Sequence, residues 1–302
     1  MHNHQLVEDI LRLKEEKKAV LLVHNYQRGE IQDLADYLGD SLGLSRKAAE
    51  VEHPMIVFCG VMFMAETAKI LSPDKTVLLP RQDAGCPMAH MVNVPELKAL
   101  KARHPNALVV TYVNSTAEVK AESDVCCTSA NAVQVVQNIE ADEIIFTPDR
   151  NLAAYVQRFT NKKIIPWEGY CYVHDRFTKE EVLKAKEAHP DAVLMVHPEC
   201  RSEVIDEADE VLSTSGMVHF ARESSARTIL VGTEEGMLYR LKKENPDKAF
   251  YSAGTAKMCQ GMKRTRLEDL HQAFIKEQYA IYIRQDIMNR ARTSLERMLQ
   301  YV

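Results

Sequence analysis

One apolar phrase occurs three times in this chain of 302 residues. Ala19-Val-Leu-Leu-Val runs into His24 and Tyr26, Ala107-Leu-Val-Val-Thr into Tyr112 and Asn114, and Ala192-Val-Leu-Met-Val into His197 and Glu199. The spacing is 88 residues from His24 to Tyr112 and 85 from Tyr112 to His197. Other landmarks keep these offsets. Ser41, Ser129 and Thr214 are each hydroxyl residues, and a second apolar run at 55–58 maps onto 143–146 and lies close to 228–231. Amphipathic helices are expected before the three phrases, at 5–17, 95–103 and 178–188, the last two stopped by His-Pro. Helical patterns follow each second run, at 63–70, 151–158 and 235–243. Each copy then closes on an extended piece ending in a cysteine: Cys86, Cys171 and Cys259. A unit of roughly 85 residues, written three times, accounts for the chain to about residue 260.

Strands that are apolar throughout and alternate with helices belong to parallel sheets covered on both faces. The expected fold is α/β: three homologous α/β/α sandwich domains with parallel sheets at 1–88, 89–174 and 175–262, arranged about a pseudo-threefold axis. Units this small bury a modest share of their surface, so they should pack on one another. Residues 263–302 lie outside the repeat and read as a C-terminal helical extension, with helices at 267–276 and 286–299 clasping one domain. A net charge of -5 without a basic stripe argues against nucleic acid. Apolar runs of about five residues fall far short of the roughly 20 that span a bilayer. No secretory signal is visible, and seven cysteines, an odd number, fit a reducing cytoplasm better than a disulfide scaffold.

In parallel sheets ligands bind beyond the carboxyl ends of strands, where His24, Tyr26, Tyr112, Asn114, His197 and Glu199 fall. Their positions recur while their identities differ, as three walls around one asymmetric ligand require. Ser41, Ser129 and Thr214 stand at expected helix starts. As N-caps they would stabilise those helices by about 1 kcal/mol each, and the same helix starts would attract carboxylate or phosphate groups. Cys59, Cys126, Cys127 and Cys200 do not recur by the offsets and read as buried thiols. Cys86, Cys171 and Cys259 do recur. Three thiolates brought to one point without a fourth protein ligand suit a catalytic zinc or a [4Fe-4S] cluster with one open iron.

The ordered motifs resemble the quinolinate synthase family of de novo NAD synthesis along the whole chain. They are His-Asn-Tyr-Gln at 24–27, Gly-Asp-Ser at 39–41, Phe-Met-Ala-Glu-Thr at 63–67, Tyr-Val-Asn-Ser at 112–115 and Thr-Ser-Ala-Asn-Ala at 128–132. Gly-Tyr-Cys-Tyr-Val-His at 169–174, His-Pro-Glu-Cys at 197–200, Ser-Thr-Ser-Gly-Met at 213–217 and Lys-Met-Cys at 257–259 complete the series. The resemblance implies condensation of iminoaspartate (iminosuccinate) with dihydroxyacetone phosphate to quinolinate. The unstable imine would be supplied by an enzyme such as L-aspartate oxidase or aspartate dehydrogenase. It also implies a [4Fe-4S] cluster on Cys86, Cys171 and Cys259. Some members carry a Cys-x-x-Cys-x-x-Cys run, but here Met262 stands three residues after Cys259, as in the short form of the family. Catalytic roles would fall to Tyr26, Tyr112, Glu199 and His197. Substrate contacts would fall to His24, Ser41, Tyr112, Asn114, Ser129, His174, His197, Glu199, Ser213 and Thr214. A zinc lyase or aldolase on the same thiolates, and a non-catalytic iron–sulfur sensor, are the alternatives. G-x-G-x-x-G, G-x-x-x-x-G-K-[ST] and H-E-x-x-H are absent, which removes the dinucleotide, P-loop and zinc-protease readings.

Overall fold

The computed structural model describes residues 2–301. The first sheet comprises β1 (Ala19–His24), β2 (Tyr37–Gly39), β3 (Met55–Cys59) and β4 (Thr76–Leu78), in the order β2-β1-β3-β4. The second comprises β5 (Leu108–Tyr112), β6 (Val125–Cys127), β7 (Glu143–Thr147) and β8 (Lys163–Pro166), in the order β6-β5-β7-β8. The third comprises β9 (Val193–Val196), β10 (Glu210–Val211), β11 (Thr228–Gly232) and β12 (Ala249–Ser252), in the order β10-β9-β11-β12. Pairing between these strands is parallel throughout. The repeat extends to the register: Ala19 faces Met55, Leu108 faces Ile144 and Val193 faces Ile229, 36 residues apart each time. Leu22 likewise faces Tyr37, Val110 faces Val125 and Met195 faces Glu210, 15 apart. A slip of one residue would exchange the two faces of a strand, so equal registers mean equal burial.

Both faces are apolar because both are covered. Along β1, Ala19, Leu21 and Val23 enter an outer cluster with Leu6 and Ile10 of the N-terminal helix, while Val20 and Leu22 enter a core shared by all three sheets. In the same way Val109 and Leu194 face local outer clusters, and Val110 and Met195 face the shared core. Each fully buried Leu or Ile contributes ~1.5–3 kcal/mol relative to exposure. The expected three-sheet α/β fold is therefore present, with its repeats joined through common packing.

The second strand of each sheet is only two or three residues long and cannot pair the whole first strand. A carboxylate takes over. Asp36, Asp124 and Asp209, which keep the repeat offsets, accept the N–H groups of Leu21, Val109 and Leu194 at 2.8, 2.8 and 2.7 Å. Their own N–H groups donate back to the carbonyls of the same three residues. Asp209→Ala would leave the buried Leu194 N–H without an acceptor. A loss of ~1–3 kcal/mol is expected, seen as a lower urea midpoint with turnover at 25 °C retained.

The C-terminal extension does not clasp one domain. Helix Leu267–Lys276 lays Leu267, Leu270 and Phe274 on the outer cluster of the first sheet. The chain then runs antiparallel beside β4, with Leu79 N–H donating to Tyr279 O at 3.2 Å and Ile281 N–H to Val77 O at 2.8 Å, and so covers an exposed edge. Helix Gln285–Met298 crosses to the second sheet, where Ser294 Oγ donates to Lys120 O at 2.9 Å and Asn131 Nδ2 to Met298 O at 3.2 Å. The extension bridges two sheets because its two amphipathic faces match two different apolar surfaces. Among the described residues no helix is long and apolar enough to cross a membrane.

Candidate active site

The carboxyl ends of the three sheets meet at one buried cavity. His24, Tyr26, Ser41 and Cys86 line it from the first repeat, Tyr112, Asn114, Ser129, Cys171 and His174 from the second, and His197, Glu199, Thr214 and Cys259 from the third. Ser213 stands behind this wall, its hydroxyl donating to Asp40 Oδ2 at 3.4 Å.

The first strands end in a shared turn that fixes two imidazoles. Gln27 N–H donates to His24 O at 3.0 Å and Cys200 N–H to His197 O at 2.9 Å. Within each turn the ring Nδ1 accepts a backbone N–H, from Tyr26 to His24 at 3.1 Å and from Glu199 to His197 at 3.4 Å. A ring whose Nδ1 accepts carries its hydrogen on Nε2. His197 thus presents an Nε2–H to Ser129 Oγ, 3.2 Å away. Burial lowers both histidines to about 3, with Lys263 adding to the effect at His24 and His174 at His197. Both rings are neutral donors at physiological pH.

Glu199 is the hub of the cavity. Its Oε1 accepts the Tyr112 hydroxyl and its Oε2 lies 2.8 Å from His174 Nδ1. Burial pushes the carboxyl up, but His174 and His197 together with the Tyr112 hydrogen bond outweigh it and hold the group below the usual carboxylate range, so it is ionised. Burial and the Glu199 charge push Tyr112 and Tyr26 upward, keeping both phenols protonated. From His174 Nε2 the chain continues to Thr233 Oγ1 at 2.8 Å and on to the Tyr26 hydroxyl at 2.5 Å. Tyr112, Glu199, His174, Thr233 and Tyr26 form one continuous hydrogen-bonded line through residues of all three repeats. The His174 and His197 rings stack at 4.4 Å, which orients the middle of that line.

The helix starts are arranged differently from the expectation. Ser41, Ser129 and Thr214 are not the caps. At two of the three the preceding residue caps, with Asp40 Oδ1 accepting Gly43 N–H at 2.9 Å and Ser213 Oγ accepting Gly216 N–H at 3.3 Å. At the second the helix begins only at Ala132, with Asn131 at its N-cap, and Thr128 Oγ1 accepts Ala130 N–H at 3.2 Å in the turn before it. Ser41 and Thr214 are thus freed from capping and Ser129 sits in the turn before its helix, and all three line the cavity. Among the described residues lining the cavity none is a lysine or arginine. Anions there would rely on hydroxyls, neutral imidazoles and helix starts.

All seven cysteines are free thiols, and Cys86, Cys171 and Cys259 are the three that reach the cavity. Burial pushes Cys86 up to about 12 and raises Cys171 and Cys259. Cys259 adds to the rise at Cys86, and both of those thiols add to it at Cys171. Such a donor set is poorly suited to holding bare thiolates and well suited to a metal group whose positive charge removes the penalty. A second donor group shares one member: the Cys171, His174 and Glu199 ligand atoms lie within 4.8 Å of one another. Cys59, Cys126, Cys127 and Cys200 are buried in the core, as expected.

Several residues of the site were not singled out in the sequence. Thr233 and Glu234 follow β11, and Val61, also on the cavity wall, follows β3. Glu234 is wholly buried, with Oε1 accepting Cys259 N–H at 3.0 Å and Oε2 accepting the Lys263 ammonium at 3.0 Å. Applying the repeat offsets to the ends of the second apolar runs, rather than to the first runs alone, would have found these positions.

A family model described as quinolinate synthetase A protein matches residues 8–300. The chain is 55% identical to a quinolinate synthase of Methanoregula boonei, covering 97% of both chains, and 54% identical to one of Thermodesulfovibrio yellowstonii, covering 99% of both. It is 50% identical to a quinolinate synthase of Methanosarcina barkeri over 99% of this chain and 98% of that one. The protein these relatives define is an enzyme, and its three parallel sheets close on one buried cavity. The chain belongs to the quinolinate synthase family.

Proposed function

We propose that the chain condenses iminoaspartate with dihydroxyacetone phosphate in cytoplasmic NAD synthesis, releasing quinolinate, phosphate and two waters. The imine would come from an aspartate-oxidising enzyme such as L-aspartate oxidase or aspartate dehydrogenase. The observation that carries this reading is the meeting of three thiols and a buried hydrogen-bonded line in one cavity of a family member. Cys86, Cys171 and Cys259 would hold a [4Fe-4S] cluster, which when bound supplies a Lewis-acidic iron for substrate oxygens.

The chain's own residues supply anion binding, orientation and proton movement. The hydroxyls of Ser41, Ser129 and Thr214 and the amide of Asn114 hold carboxylate and phosphate oxygens, with Ser213 fixing the third helix start. His24 and His197, as neutral Nε2–H donors, orient a carbonyl oxygen without protonating it outright. The imine-to-enamine and keto-to-enol steps need a proton removed at one carbon and delivered elsewhere. Glu199 is the base in contact with Tyr112, and the line through His174 and Thr233 to Tyr26 carries a proton to the opposite wall.

Anaerobically purified protein given both substrates is expected to form quinolinate and phosphate in equal amounts, and no quinolinate would refute the proposal. A mononuclear zinc on Cys171, His174 and Glu199, favoured by the closeness of those three donors, is the second reading. Metal analysis with the visible absorption spectrum separates the two.

A further inference from the structure

The cavity wall lacks lysine and arginine among the described residues, yet the substrates proposed above bring two carboxylates and a phosphate. Two cations reach the wall indirectly: Lys263 is already paired with Glu234, while Arg240 acts through a neutral amide. On helix Gly236–Glu244, Arg240 Nη1 donates to Asn25 Oδ1 at 2.7 Å and to Leu38 O at 3.0 Å. Asn25, wholly buried between His24 and Tyr26, donates from Nδ2 to Thr214 Oγ1 at 2.9 Å. A guanidinium only donates, so the amide oxygen must face Arg240 and the amide NH2 must face Thr214. Thr214 therefore uses an oxygen lone pair on Asn25. Its hydroxyl hydrogen has no acceptor among the described residues, and the side chain lines the cavity.

We propose that Arg240 and Asn25 are positioning residues that fix Thr214 as a hydrogen-bond donor into the cavity, so that this wall selects an anionic substrate oxygen. The guanidinium polarises the amide, and the amide polarises the hydroxyl, which delivers part of a positive charge without placing an amine beside a reactive ketone. The device is not repeated. Val113 and Pro198 hold the place of Asn25 in the other two repeats. Ser129 shares its hydroxyl with His197, and Ser41 has no side-chain partner among the described residues. The three hydroxyls are equivalent in position but not in polarity, as an asymmetric ligand demands.

The inference rests on the proposed reaction and is tested on metal-loaded protein with quinolinate and inorganic phosphate as probes. Asn25→Asp keeps the Arg240 pair but offers Thr214 an acceptor, turning the hydroxyl hydrogen away from the cavity. Quinolinate or phosphate affinity by calorimetry is expected to fall about tenfold or more, with KM raised, kcat little changed and the melting temperature retained. Loss confined to quinolinate assigns a carboxylate to Thr214, and loss confined to phosphate assigns the phosphate group. Arg240→Leu, at a side chain only 17% exposed, frees the amide to turn and should weaken the same probe, while Arg240→Lys, which also only donates, should restore it. Adding Asn25→Asp to Thr214→Val should cost nothing further, because no hydroxyl remains to turn. Unchanged affinity for both probes in Asn25→Asp, or an equal loss in the Thr214→Val background, overturns the inference. Wild-type protein that neither binds nor forms quinolinate overturns the reaction itself, and the inference with it.

Discussion

Glu199→Gln is expected to lower kcat for quinolinate formation by about 10²–10⁴-fold, the range general acid–base groups contribute, with the fold and metal content intact. Glutamine has the shape of glutamate but only one acceptor oxygen. Both carboxylate oxygens of Glu199 accept, one from the Tyr112 hydroxyl and one from His174 Nδ1. In the variant one of those positions is an NH2 and the side chain can no longer take up a proton, so transfer between Tyr112 and Tyr26 stops there even where hydrogen bonds re-form. The surroundings favour the ionised carboxylate over a neutral group, so the melting temperature should fall modestly while turnover falls by orders of magnitude. That separation distinguishes a lost proton path from a collapsed site. His24 and His197 cannot take its place in the line, since each ring's Nδ1 accepts a backbone N–H and neither ring bonds to Tyr112. A Glu199→Gln enzyme with full metal and wild-type kcat would remove Glu199 from the proton transfers, and Tyr112→Phe, which removes one end of the line, gives an independent check by the same measurement.

The repeat offsets were legible because they are a property of sequence alone: an apolar run, a polar stop and a hydroxyl, each at 88 and then 85 residues. From them followed the three sheets and the gathering of His24, Tyr112 and His197 at equivalent strand ends. Interactions between distant positions were not legible. Nothing near Asp209 indicates that its carboxylate will cover a strand N–H that a two-residue partner leaves open. Asp40 and Ser41 are both good capping residues, and only the backbone shows that Asp40 caps and Ser41 is left over. The C-terminal helices show the limit most clearly. Their amphipathic pattern marked residues 267–276 as a helix, yet an apolar stripe does not name the surface it covers. The two helices found different ones.

Cys171→Ser is expected to abolish quinolinate formation and, with it, most bound iron and acid-labile sulfide. Serine fits the space, but its hydroxyl does not ionise near neutral pH and is a poor ligand for the soft iron that a thiolate set selects. Activity loss by itself would not say which donor set is in use, because Cys171 belongs to both. The other two thiols decide it. If Cys86, Cys171 and Cys259 hold one cluster, serine at any of the three should deplete iron and the visible absorption to a similar degree. If metal sits instead on Cys171, His174 and Glu199, then Cys86→Ser and Cys259→Ser should keep it while Cys171→Ser loses it. Cys126→Ser provides the control, since that thiol lies in the core against Ser294 Oγ at 3.3 Å, away from the cavity wall, and its replacement should leave iron content unchanged. The comparison also tests Glu234. Its carboxylate holds the backbone N–H of Cys259, so Glu234→Gln should speed iron release to a chelator without removing any ligand. A three-thiol site predicts that sensitivity, and a site built on Cys171, His174 and Glu199 does not.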